Sequence, residues 1–80
     1  MDNIKEILDL LLQLEQDITI PRNIRTKIKT TLDLLDENTD FAIRIDKSLQ
    51  ELDEIVEDPN VPSYARTQIW NVMSLLESRK

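Results

Sequence analysis

The chain has 80 residues and a formal net charge of −6. That is enough for one small domain, which buries only about 60% of the surface its unfolded form exposes and so has modest stability or shares it with a partner subunit. Cysteine, histidine and glycine are all absent, which excludes disulfides, thiolate and imidazole metal sites, and the glycine-dependent phosphate loops, dinucleotide turns and nucleophile elbows.

The first segment carries Ile4, Ile7, Leu8, Leu11, Leu14 and Ile18 at three- and four-residue steps, the period of an amphipathic helix. Leu10 and Leu12 widen this stripe beyond what one helix of a four-helix bundle needs. The excess lies under a neighbouring loop or forms half of a subunit interface. Asn3 is placed to cap the segment, with Glu6 completing a capping-box pair. The second segment repeats the period in Ile24, Ile28, Thr31, Leu32 and Leu35. The third does so in Phe41, Ile45, Leu49, Leu52, Ile55 and Val56, capped by Thr39 or Asp40, and the fourth in Ala65, Ile69, Val72, Met73 and Leu76. The four helices are expected over about 3–16, 21–36, 40–57 and 62–78. Pro21 and Pro62 suit a first helical turn, where the missing N–H would be unpaired anyway. The residues before them, Ile20 and Val61, are pushed to extended geometry and tuck inward as staples on Ile24 and Ala65.

The chain repeats itself. DITIPRNIRTKI, residues 17 to 28, matches DPNVPSYARTQI, residues 58 to 69, so that Asp17 pairs with Asp58, Pro21 with Pro62 and Arg25 with Arg66. The same offset of 41 pairs Leu11 with Leu52 and Leu35 with Leu76. Each copy is a helix, a proline corner and a second helix, over about 3–37 and 40–79. At the second corner, Asp58 or Asn60 is expected to satisfy free amides of the last helix, and Arg66 to fold back on Asp58, with Asp17 and Arg25 repeating the arrangement. Short connections favour antiparallel neighbours. Solenoids of similar period normally need three or more repeats, so the expected fold is all-α: a closed up-and-down four-helix bundle of two similar hairpins.

The stretch Asp58-Pro59-Asn60, Pro62 and Ala65-Arg66-Thr67-Gln68-Ile69-Trp70-Asn71 resembles the C-terminal signature of Uncharacterised Protein Family 0147, small archaeal proteins, and the resemblance spans nearly the whole chain. It implies a four-helix bundle of an archaeal cytoplasm and assigns no activity and no catalytic residues.

Function is not written in the sequence. The expectation is a non-enzymatic protein–protein interaction, subunit or adaptor protein without cofactor or small-molecule substrate, self-association as a homodimer being one form of it. Trp70 lies about 100° from the centre of its stripe. Its repeat counterpart is Lys29, so the position does not require an aromatic ring, and tryptophan is enriched at binding hot spots. Trp70, Tyr64 and Arg66, or Leu10 and Leu12 on the first helix, are the candidate contacts. The alternative is an RNA- or ribosome-associated factor that reads phosphates with Arg22, Arg25 and Lys29 on one face of the second helix. The acidic net charge and the lack of interleaved aromatic residues count against it. The cluster Asp53, Glu54, Glu57 and Asp58 reads as a solvated helix end. No apolar run reaches the ~20 residues of a membrane span and no leader-like segment opens the chain, so a cytoplasmic location is expected.

Overall fold

The computed structural model describes residues 4–79. It contains four helices, α1 (Ile4–Glu15), α2 (Arg22–Leu35), α3 (Phe41–Val56) and α4 (Ser63–Glu77), and no strand among the described residues. Helices adjacent in sequence pack against each other, and α1 packs against α4, so the bundle closes into a ring rather than opening as stacked hairpins.

The core is filled by one contiguous apolar cluster, and its members follow the internal repeat. Leu11 and Leu52, Leu14 and Ile55, Ile20 and Val61, Ile24 and Ala65, Ile28 and Ile69, and Leu35 and Leu76 are all buried at the offset of 41. Two pairs break the chemistry without breaking the burial. Ile7 corresponds to Ser48 and Val72 to Thr31, and all four are buried. The Thr31 hydroxyl donates to the Lys27 carbonyl at 3.1 Å. The Ser48 hydroxyl has no hydrogen-bond partner among the described residues.

The helix ends differ from expectation by about one residue. Pro21 and Pro62 stand at the N-caps, not inside the first turn, with ψ of 146° and 149°. An extended N-cap needs no N–H of its own, and the proline carbonyls accept the first helical bonds, from Arg25 N at 3.0 Å and Arg66 N at 3.0 Å. Asp40 caps α3 as expected, its Oδ1 accepting from Ala42 N at 2.9 Å. The Asn3 cap lies outside the described residues. Ile18 does not continue the first stripe: α1 has ended at Glu15 and the side chain is 84% exposed. Phe41, the first residue of α3, is also exposed, and the Arg44 guanidinium lies 5.3 Å from its ring centroid.

No described helix carries a basic residue in its last turn, although a helix C-terminus attracts cations. An arginine from the following helix supplies one. Arg44 Nη1 donates to Leu35 O at 3.0 Å at the end of α2, and Arg66 Nε donates to Val56 O at 2.9 Å at the end of α3. Arg25 Nε reaches Ile20 O at 3.0 Å in the first corner.

Candidate functional site

Trp70 is on the outer side of α4 and is 54% exposed. The core closes without it. One turn before it stands Arg66 and about one turn after it Met73, which packs partly against the core; residues at these spacings share a helix face. Arg66 is committed elsewhere. Besides Val56 O, it donates from Nη2 to Asp58 O at 2.9 Å, so it meets the Asp58 carbonyl and not the expected carboxylate. Its guanidinium holds the corner, and what it offers a partner is at most the flank of the Trp70 face.

Tyr64 faces another way. Six residues separate it from Trp70, about 240° around a helix, and its hydroxyl donates to Asp17 Oδ2 in the corner between α1 and α2. The Thr19 side chain completes the group, donating to Asp17 Oδ1 at 2.7 Å, with its oxygen 2.6 Å from the Tyr64 hydroxyl. Asp17 Oδ1 also accepts the Thr19 backbone N–H at 2.9 Å. The bonds from Thr19, and then from Tyr64, hold the Asp17 pKa below its ordinary 3.8. The Asp17 bond in turn raises the Tyr64 pKa above 10.0. Both shifts move away from neutrality, so neither group is poised to exchange a proton there.

The second corner has the same turn: Asp58 Oδ1 accepts from Asn60 N at 2.8 Å. That bond replaces the expected cap on the last helix, since α4 has no side-chain cap. Asn23 stands in the first hairpin where Tyr64 stands in the second, so the tyrosine bridge is made once.

Leu10 and Leu12 part company. Leu10 is half-buried against the core, whereas Leu12 is 45% exposed. Arg22, Arg25 and Lys29 do come together, lining with Glu15 and Thr26 a recess of about 190 Å³. Arg25 is held by Ile20 O, and Lys29 Nζ lies 3.6 Å from Asp33. Lys27 faces α3, 3.8 Å from Glu54. No cluster of acidic side chains arranged to hold a metal occurs among the described residues, and none of the described helices is long and apolar enough to cross a membrane.

The profile of an uncharacterised protein family, UPF0147, matches residues 1–78. A UPF0147 protein of Thermococcus kodakarensis, TK2131, is 45% identical over 69 residues, covering 85% of this chain and 83% of that one. Two solved structures share the fold. The protein of unknown function MMP1188 superposes with a TM-score of 0.94 at 39% identity, covering 99% of this chain and 91% of that one. A UPF0147 protein of Thermoplasma acidophilum gives 0.92 at 36% identity, covering 96% and 92%.

Proposed function

We propose that this chain, which belongs to the uncharacterised protein family UPF0147, is a non-enzymatic interaction module that seats a protein partner on the α4 face centred on Trp70. The observation that carries this reading is a large aromatic side chain left 54% exposed beside a core that is complete without it. Solvent exposure of an indole is unfavourable by the cost of its apolar surface, and a partner removes that cost. The test is affinity capture from native cells with wild type and Trp70→Lys, the residue of the repeat counterpart, alongside sedimentation of both. The wild type retains a partner, or a second copy, that Trp70→Lys loses at unchanged thermal stability. An identical set of co-purifying proteins and an identical oligomeric state for both would end this reading.

The recess formed by Arg22, Arg25 and Lys29 supports a second reading, contact with RNA phosphates. Binding of that kind falls steeply with salt and is lost on Arg22→Glu, whereas the Trp70 contact responds to neither.

A further inference from the structure

The repeat relates two grooves as well as two cores. Between α1 and α2 a groove of about 240 Å³ is lined by Leu8, Asp9, Leu12, Leu32, Asp33 and Asp36. Between α3 and α4 its equivalent includes Leu49 for Leu8, Met73 for Leu32 and Glu77 for Asp36, but Asp53 stands where the first has Leu12. We propose that the α1/α2 groove is a docking site for a basic amphipathic helix of another protein.

The floor supplies the apolar half of the argument. Leu8 and Leu32 pack partly against the core, and Leu12, one turn beyond Leu8, is 45% exposed. A row of this kind accepts apolar anchors spaced three and four residues apart on an incoming helix. The rim supplies the charge. Asp9 stands on the α1 side, Asp33 and Asp36 on the α2 side, and no cation lines the groove. Asp33 and Asp36 sit at the C-terminal end of α2, where Arg44 of α3 meets the last carbonyl, Leu35 O, without lining the groove. Lys5 and Lys29 touch Asp9 and Asp33 at 3.3 and 3.6 Å, but as exposed pairs within one helix, which neutralise little. The Asp36 carboxylate has no partner among the described residues. Lysines or arginines flanking the apolar stripe of a docked helix would meet these carboxylates. A second copy of this chain would bring another −6 and an acidic groove of its own, and an anionic lipid surface is repelled in the same way. The groove lies between α1 and α2, away from Trp70 on α4, so the proposal stands apart from the Trp70 reading.

The test titrates the full chain with a synthetic helical peptide of about 15 residues, leucines at three- and four-residue spacing on one side and lysines on both flanks. One peptide binds per chain, more weakly as salt rises. Leu12→Asp gives this groove the chemistry of its counterpart and weakens binding by about tenfold or more. Asp33→Asn with Asp36→Asn flattens the salt dependence, and Trp70→Lys changes nothing. Asp53→Leu adds a second peptide site between α3 and α4. Both positions 12 and 53 are exposed, and melting curves confirm that the variants fold. Absence of binding at millimolar peptide, equal affinity for Leu12→Asp, or salt-independent binding overturns the proposal. So does a wild-type dimer that Leu12→Asp converts to monomer, which would put a second copy in the groove.

Discussion

In the first corner Asp17 accepts the Thr19 N–H at 2.9 Å; in the second Asp58 accepts the Asn60 N–H at 2.8 Å. Ile20 and Val61 follow, both buried, and the arginines then turn back to different carbonyls, Arg25 to Ile20 O and Arg66 to Val56 O and Asp58 O. Inside, the two hairpins are near copies. Outside, they diverge: Lys29 against Trp70, Arg22 against Ser63, Leu12 against Asp53, Asn23 against Tyr64. Packing constrains interior volume at every position, so the repeat persists where side chains interlock. Exposed positions carry no such constraint, and that is where the halves have acquired separate surfaces. The proposed contacts follow this divergence, with the tryptophan on one hairpin and the leucine-floored groove on the other.

The sharpest way to break the equivalence of the interiors is to empty matched sites. Leu11→Ala and Leu52→Ala each remove a fully buried side chain and each cost about 2–5 kcal/mol. Denaturant titration that gives costs differing by more than the spread expected of one site type would show that the cores are equivalent in position only. Smaller effects separate the corners. Arg66 makes two bonds to carbonyls and Arg25 one, so Arg66→Ala costs about 2 kcal/mol and Arg25→Ala about 1 kcal/mol, with the order as the measurable claim. Next come the two polar positions of the core. Ser48→Ala removes an unpaired buried hydroxyl and stabilises by about 1 kcal/mol, whereas Thr31→Val, which removes a paired one, is near neutral. A destabilised Ser48→Ala would mean that this hydroxyl is satisfied in solution.

The smallest effect is confined to pH. The Asp17 pKa is lowered on folding, so its contribution is present above the ordinary 3.8 and is lost as pH falls through the folded value. The Tyr64 pKa is raised, so its contribution is present below 10.0 and is lost as pH rises through the folded value. Tyr64→Phe therefore lowers stability between these limits and makes the acid limb of the stability profile shallower. An unchanged acid limb in Tyr64→Phe would remove Tyr64 from the account.

Much of the fold is legible before any coordinates. Three- and four-residue spacing places the helices, proline places the corners, and an offset of 41 pairs the core residues one by one. What escapes is tertiary. Nothing in the local pattern of Asp17 or Tyr64 brings them together across 47 positions. Period alone places Ile18 in the stripe, but α1 stops at Glu15. Leu10 and Leu12 both extend the apolar arc, but only packing against neighbours decides that one is covered and the other is not. The difference between the two grooves is legible as well: the pairing of Leu12 with Asp53 stands in the repeat itself.

The tyrosine bridge joins both proline corners at one pole of the bundle, and the opposite pole has the turn between α2 and α3 in its place. Breathing of the ring is therefore asymmetric, as in a clothes-peg held at its spring. Amides near Ile20 and Val61 should exchange with deuterium more slowly than those near Glu37 and Thr39, and Tyr64→Phe should loosen the first set while leaving the second as it was.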